Sequence, residues 1–412
     1  MIFARFKYYL TKLNRARTDG TLSERVNRKI VTGTKTKIGT IVSYLMLPAD
    51  DKKLSVAEGF ADHRSSNADS QETDRVIFDR IINAYQLAKT DQQEAASHFA
   101  VRGLWAEWIE VNYNSLIEGI NQRDYTRLDS LLSNFAREQF AMGTGSSYDD
   151  FAQYKTSLFG GFYVKSVWCE YRDKLLDIDA DLSNISHPQI GNPAGIRING
   201  QVMPSETLRH AYNAHSIANL LQNISQPTIM EIGGGFGGQA YQTIERLRQI
   251  GNPFAKYLDF DIPEVLFVCG YFLLKAFPDA HIRLYGEGDV SAAETEEFDI
   301  GLFPHFTIDR VPNLSADLVF NSHSFSEMDG ETSSHYLSIV NRVCRRYFLH
   351  INHEIRLTFK YSDGTTSHNH LGSEMMPDEQ HFKRIYKRPR VYGKPEDKPF
   401  KSFAYLYERF KK

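Results

Sequence analysis

The chain has 412 residues, of which 42% are hydrophobic and 24% charged, and its formal net charge is −3. This is the composition of a globular protein rather than of a disordered chain or a membrane protein. Because a single hydrophobic core seldom extends beyond about 250–300 residues, more than one domain is expected. A net charge so close to zero identifies no partner, and no recognition module for nucleic acid is apparent.

The cysteines and the N-terminus indicate a cytoplasmic protein. Cys169, Cys269 and Cys344 are far apart and lack the spacing of a zinc site or a disulfide framework. Residues 1–17 mix basic and apolar side chains, so they lack the continuous apolar core of a signal peptide. No apolar run approaches the ~20 residues that span a bilayer. The basic first helix either packs on its own protein or makes a peripheral contact with an anionic membrane surface.

Three regions are expected along the chain. Residues 1–73 carry the basic helix and a polar linker, residues 74–190 form a helical domain, and residues 191–412 form a cofactor domain. Apolar residues at i, i+3, i+4 and i+7 predict helices between 74 and 140, where Trp105 and Trp108 are interpreted as core residues. A further helix is predicted over 164–178, between a break at 142–150 and a turn-rich segment at 187–206 that is rich in Gly and Pro.

Beyond residue 206 the pattern alternates between helices and strands. A predicted helix over 206–224 leads into the strand candidates PTIMEI, KYLDFD, HIRLYG, DLVFNS and RYFLHIN, with helical text between several of them. Such alternation predicts a parallel, doubly wound α/β sheet. The tail from His381 is predicted to be an antiparallel strand pair at the sheet edge.

The most specific signal is the segment Glu231-Ile-Gly-Gly-Gly-Phe-Gly-Gly, which follows a predicted strand and precedes a helix. Its glycines Gly233, Gly235 and Gly237 permit a tight turn and bring bare backbone against a ligand. The next strand ends at Asp261, where a carboxylate is placed to accept hydrogen bonds from ribose hydroxyls.

Two cofactors compete for this loop, since the glycines also satisfy the dinucleotide fingerprint of an NAD enzyme. Glu231 favours S-adenosylmethionine, because a carboxylate suits its ammonium group and would face a pyrophosphate unfavourably. Three functions therefore stay open: a methyltransferase, an NAD-dependent sugar oxidoreductase, and a non-catalytic scaffold in a glycan assembly complex.

The segments EIGGGFGG, LDFDIP, ADLVFNSHSFSEMD and RYFLHINHE resemble the motifs of class I S-adenosylmethionine-dependent methyltransferases. More narrowly, the chain resembles the sugar O-methyltransferases of bacterial surface-glycan gene clusters, mainly over residues 192–354. The resemblance implies a Rossmann-like, seven-stranded methyltransferase sheet preceded by a mainly helical domain. It also implies a sugar, nucleotide-sugar or glycan acceptor in polysaccharide biosynthesis.

The same resemblance assigns residues to the cofactor site. Glu231, the three glycines and Asp261 are expected to hold S-adenosylmethionine, Asp289 is expected near the adenine, and Asn321 belongs to the motif after the fourth parallel strand. An alternative for Asp289 is that it caps a short helix, a position in which Asp is favoured.

The acceptor side offers three candidate catalytic residues. His323 is the first candidate for the general base, because a neutral imidazole has a suitable pKa. Glu327 lies in the same segment, and His353 follows the next strand and could orient the base or contact the sugar. No histidine or carboxylate spacing in this region compels a metal site, and none is expected. The oligomeric state is not predicted.

Overall fold

The computed structural model describes residues 41–56, 68–138, 140, 160–253, 255–292, 297–361, 364–391 and 402–410. The predicted basic helix, part of the polar linker and the predicted break at 142–150 lie outside these residues. Among the described residues, no helix is both long and apolar enough to cross a membrane.

The helices fall into an N-terminal group and a group that alternates with strands. Their bounds are α1 Ala49–Lys52, α2 Ala68–Asp91, α3 Gly103–Asn112, α4 Asn114–Gln122, α5 Tyr125–Leu132, α6 Gly160–Leu176, α7 Ser205–Leu221, α8 Gly238–Gln249, α9 Pro263–Ala276 and α10 Gly330–Val343. The predicted helical N-terminal region is therefore confirmed.

Thirteen strands form three sheets in the described part of the chain. Their bounds are β1 Ser55–Val56, β2 Ile196–Ile198, β3 Gln201–Met203, β4 Thr228–Ile232, β5 Lys256–Asp261, β6 Ile282–Leu284, β7 Ile300–Pro304, β8 Ala316–Ser322, β9 Cys344–His353, β10 Thr358–Lys360, β11 Thr366–His368, β12 Phe382–Pro389 and β13 Ser402–Arg409. The large sheet has the order β12-β13-β9-β8-β4-β5-β7-β6.

The large sheet confirms the Rossmann-like α/β prediction. Its six strands from β9 to β6 are parallel, and β13 and β12 add an antiparallel pair at one edge, as predicted for the tail. It has eight strands where seven were expected, because β7 lies between β5 and β6. The five residues of β7 are all buried, and so short an apolar run carries no periodicity by which to recognise a strand.

The turn-rich segment also contains regular structure. Strands β2 and β3 form a hairpin, and β1 pairs with β2 in a small antiparallel sheet. The hairpin turn is Asn199-Gly200, with φ of 48° and 84°. Positive φ at both positions is the signature of a type I′ turn, for which Asn-Gly is the preferred sequence.

The N-terminal helix α2 shares the core of the large sheet. Phe78 is 2% exposed and stacks on Tyr271 of α9 at a ring-centroid distance of 5.9 Å. Ile81 and Ile82 belong to the same buried cluster as Leu302 of β7. The apolar side chains of α2 are therefore buried against α9 and the large sheet, and the two regions share one hydrophobic core.

We expect Phe78→Ala to lower the free energy of unfolding of the whole chain by about 3–5 kcal/mol, because it leaves a cavity between α2 and α9. The matched control is Val76→Ala on the same helix, where the side chain is 62% exposed and the expected change is within about 0.5 kcal/mol. Chemical denaturation followed by near-ultraviolet circular dichroism measures both. A transition unaltered by Phe78→Ala would contradict a shared core.

Candidate active site

A cavity of about 240 Å³ lies at the carboxyl ends of the parallel strands. Chain connections diverge on either side of β4, and this is where open α/β sheets bind ligands. Six of the predicted site residues line the cavity together: Glu231, Gly233, Gly235, Asp261, His323 and Glu327. The structure thus brings residues from three separate segments to one site.

The glycine loop after β4 packs closely on the neighbouring strand. The Gly233 N–H donates to the Phe260 carbonyl at 2.8 Å, and the Gly234 N–H donates to the Asp259 carboxylate at 3.2 Å. A Cβ added at Gly234 would lie 2.2 Å from Asp259 Oδ2. Gly233 and Gly235 have φ of 80° and 63°, which favours glycine. Sequence analysis had not singled out Gly234, whose requirement depends on a residue 25 positions later.

Gly237 serves the packing of α8 rather than the cavity wall. It is the N-cap residue of α8 with φ of 91°. A Cβ there would lie 3.0 Å from both Cys269 Sγ and Leu273 Cγ of α9. Gly237 is absent from the cavity lining, so its place in the structure is to let α8 approach α9.

Two buried carboxyl groups dominate the electrostatics of the cavity. Burial raises the pKa of Glu231 to about 7, against a hydrogen bond of 2.6 Å from the Tyr257 hydroxyl. Burial also raises the pKa of Asp261 to about 7, although the N–H groups of Gly235 and Ile262 donate to it at 3.0 and 2.7 Å. Because these folded-state values lie above the usual range, ionising the two carboxyls costs stability as the pH rises toward 7. A cation in the cavity would reduce that cost.

Helix α7 contributes basic groups that sequence analysis missed. Arg209 and His210 both line the cavity, and Arg209 forms an ion pair with Glu206. The charge of Arg209 opposes the rise that burial causes in the pKa of Glu231, and it adds to the fall that burial causes in the pKa of His323. The predicted helix over 206–224 contained both residues, but helical periodicity does not show which side chains reach a cavity formed by distant strands.

His323 follows β8 in a left-handed conformation, with φ of 70°. Its N–H donates to the Ile351 carbonyl at 2.8 Å, and this bond ties the turn to β9. Burial lowers the pKa of His323 well below its ordinary value, and the charges of Arg209 and Arg390 lower it further. The imidazole is therefore neutral at physiological pH and only weakly basic.

Glu327 has the opposite shift. Burial raises its pKa to about 7, while a hydrogen bond from Trp105 opposes the shift. Trp105, interpreted from the sequence as a core residue, packs against the core and also lines the cavity. A carboxyl group with a pKa near 7 can accept or donate a proton at physiological pH.

An N-terminal segment forms one wall of the cavity. Residues 98–102 and Trp105 line it opposite residues of the C-terminal half. The contact is fixed by His305, which follows β7 and whose Nε2 lies 2.8 Å from the Phe99 carbonyl oxygen. No local pattern reveals this wall, because its two sides are about 200 residues apart in the chain.

Two of the remaining predicted site residues lie behind the cavity. Asn321 is fully buried, donates to the Ile232 carbonyl at 2.8 Å and accepts from Asn352 at 2.8 Å. It thereby joins the ends of β4, β8 and β9. His353 is the buried last residue of β9, and its Nδ1 accepts from the Ile355 N–H at 3.2 Å. Both residues support the elements that carry the lining.

Asp289 lies apart from the cavity. Its carboxylate accepts a hydrogen bond from the Ser291 N–H at 3.0 Å, at the start of a short 3₁₀ turn, Val290–Ala292. These contacts are those of a cap residue, which is the alternative role predicted for Asp289. The physical reason for its position is the inserted strand β7, which separates β6 from β5 and so displaces Asp289 from Asp261.

Comparison with known proteins finds likenesses among solved structures. A mitomycin 7-O-methyltransferase is 14% identical over 50% of this chain and 56% of its own, with a TM-score of 0.31. A magnesium protoporphyrin IX methyltransferase from Synechocystis PCC 6803 with bound S-adenosylmethionine is 11% identical over 52% and 87%, with a TM-score of 0.32. A Burkholderia thailandensis 1,6-didemethyltoxoflavin-N1-methyltransferase is 10% identical over 49% and 79%, with a TM-score of 0.32.

No protein-family model matches the chain, and no curated protein matches it. The chain spans 56% of the length of the mitomycin enzyme. At these identities and TM-scores the solved structures show neither a substrate nor a mechanism for this chain.

We expect Gly234→Ala to disrupt the cavity, because the new Cβ overlaps the Asp259 carboxylate. Ligand affinity at this site should fall at least about tenfold, which corresponds to about 1.4 kcal/mol. The control is Gly161→Ala in α6, where the nearest atom to an added Cβ is 3.9 Å away. Calorimetric titration of both variants with S-adenosylhomocysteine measures the effect. Equal affinities would show that the loop does not bind this ligand.

Proposed function

We propose that this chain is an S-adenosylmethionine-dependent O-methyltransferase that methylates a sugar hydroxyl. The observation that supports the proposal is the placement of Glu231, a buried carboxyl with a pKa raised to about 7, beside a glycine loop and Asp261 in one cavity. Such a carboxyl is best stabilised as an anion by a cationic ligand. The reaction's methyl donor carries an ammonium group and a sulfonium.

The residues of the cavity fit this donor. Glu231 would hold its ammonium, Arg209 its carboxylate, and Asp261 a ribose hydroxyl, because a carboxylate oxygen retains acceptor capacity beyond one N–H. Bound there, S-adenosylmethionine would supply an electrophilic methyl group. An NAD pyrophosphate would instead lie against Glu231, where two anions repel each other at short range.

We expect Asp289, Gly237 and Asn321 to support the site without contacting the donor. None of them lines the cavity, so we assign them to the support of the site: Asp289 to its turn, Gly237 to the α8–α9 contact, and Asn321 to the strand ends. The donor's adenine would then lie beyond Asp261, toward His305, which follows β7, the strand next to β5.

Glu327 is the general base in this proposal. Its pKa of about 7 matches a proton acceptor that works at physiological pH, whereas His323 has a pKa held well below its ordinary value. His323 would position the acceptor hydroxyl through its neutral ring. His353 would act through the β9 end that it stabilises. Most of the rate enhancement would come from aligning the hydroxyl with the methyl group.

The sugar acceptor rests on the resemblance of the motifs, and the cavity is compatible with it. Thr332 and Asp329 contribute hydroxyl and carboxyl groups to the cavity lining, to which Trp105 also belongs. Surface-glycan biosynthesis in the cytoplasm, with a nucleotide sugar or a glycan as acceptor and with no nucleic acid as a partner, belongs to the same proposal. A peripheral membrane contact of the basic N-terminus remains a prediction.

The cofactor test is a calorimetric titration with S-adenosylhomocysteine and, separately, with NAD. We expect saturable binding of the first alone, weakened at least about tenfold by Asp261→Asn because a ribose contact and the loop contact at Gly235 both change. Asp289→Asn is the matched control and should bind like the wild type. Binding of NAD alone would support the oxidoreductase, and binding of neither would support the scaffold.

The base test compares Glu327→Gln with His323→Ala in transfer of a radiolabelled methyl group to a panel of sugars and nucleotide sugars. We expect Glu327→Gln to lower kcat by about 10²–10⁴ while affinity for S-adenosylhomocysteine is retained. In the wild type, kcat should rise with pH and level off above about 7, since the base acts when deprotonated.

The control is Glu331→Gln, because Glu331 is an exposed carboxylate shortly after Glu327 in the chain. This variant should leave kcat unchanged. A large loss of kcat in His323→Ala together with an active Glu327→Gln would transfer the role to His323. Binding of S-adenosylhomocysteine without turnover of any sugar would contradict the sugar acceptor.

A further inference from the structure

Three side chains from distant parts of the chain meet in a group that includes one cavity-lining residue, His98. They are His98 in the 3₁₀ turn Ser97–Phe99, Asp309 in the 3₁₀ turn His305–Arg310, and His335 in α10. One ligand atom from each lies within 4.8 Å of the other two. We propose that these residues form a binding site for a late first-row divalent cation, represented by Zn²⁺.

The geometry is close to that of a three-ligand site. His335 Nε2 is 2.9 Å from Asp309 Oδ1, and His98 Nε2 is 4.0 Å from Asp309 Oδ2. Zinc bonds of about 2.0–2.2 Å in a tetrahedral arrangement place neighbouring ligand atoms about 3.3–3.6 Å apart. The two distances are to different oxygens of the Asp309 carboxylate and lie on either side of this range, so rotation of these side chains would be needed to bring one atom from each residue onto a single ion.

His98 supplies a second observation. Its Nε2 is buried and forms no hydrogen bond with the described residues, although the ring lies against His335 at a centroid distance of 3.8 Å. A buried ring nitrogen without a hydrogen-bond partner is costly. Coordination of a cation by Nε2 would satisfy it and would also explain why two imidazoles approach one carboxylate.

The donor atoms select the type of metal. Two imidazole nitrogens and one carboxylate oxygen suit zinc, cobalt, nickel or copper, whereas magnesium and calcium prefer oxygen ligands. Three protein ligands leave a fourth position for water or a ligand group. None of the three residues is among the site residues predicted from the sequence. They are too far apart in the chain to form a recognisable metal-binding motif.

The site would fasten one wall of the cavity. His98 itself lines the cavity, and its carbonyl accepts a hydrogen bond from Thr332, another lining residue, at 3.1 Å. Residues 99–102 continue along the same wall. An ion shared by His98, Asp309 and His335 would hold this N-terminal wall against α10. The inference concerns metal binding and does not depend on the reaction proposed above.

The test uses the full chain, free of an affinity tag and treated with chelator, titrated with Co²⁺ followed by its visible absorption and with Zn²⁺ in competition. We expect one ion per chain and visible bands in the intensity range of nitrogen and oxygen coordination. Stoichiometric binding should be lost in His98→Ala and in His335→Ala. In the wild type, Zn²⁺ should also raise the melting temperature and slow hydrogen exchange over residues 97–102.

The matched control is His381→Ala, because His381 forms a comparable pair with Asp378 at 3.0 Å. Among the described residues the pair belongs to no group of three metal-ligating side chains, so this variant should bind metal like the wild type. Asp309→Asn, at a side chain that is 43% exposed, keeps the test decisive if a histidine variant fails to fold, and it should weaken binding at least tenfold. Sub-stoichiometric binding, or binding unchanged in Asp309→Asn, would overturn the proposal.

Discussion

The close approach of the glycine loop to β5 is the contact on which the cavity depends. At Gly234 the backbone lies directly on the Asp259 carboxylate, and an added Cβ would be 2.2 Å from Oδ2. This approach brings the Gly235 N–H to Asp261 at 3.0 Å. The loop, the end of β5 and Glu231 therefore form one surface, and a side chain at Gly234 would separate them.

The same closeness creates the electrostatic character of the site. Glu231, Asp259 and Asp261 are gathered in a small buried volume, and the pKa of each is raised chiefly by burial. Arg209 is the nearby cation that partly opposes the shift at Glu231. An arrangement in which carboxyls are costly to ionise favours a ligand that brings positive charge, and this is why the proposed donor fits better than a dinucleotide.

The inserted strand β7 and the N-terminal wall shape the rest of the cavity. Because β7 lies next to β5, His305 takes a position beside the cavity and Asp289 is moved one strand outward. His305 in turn contacts the Phe99 carbonyl. The helical N-terminal region is thus packed into the site, and it contributes Trp105 as a hydrogen-bond donor to Glu327.

The sequence by itself determined the parallel sheet, the antiparallel tail and the cavity members Glu231, Gly233, Gly235 and Asp261, because alternation of elements and a glycine loop after a strand are local patterns. Tertiary structure alone decided that Gly234 is constrained by Asp259 and that β7 is inserted. The burial that lowers the pKa of His323 and raises that of Glu327 also depends on the tertiary structure. So does the approach of His98 to Asp309 and His335. Burial, strand order and contacts across 200 residues arise from packing of the whole chain, and no short window of sequence contains them.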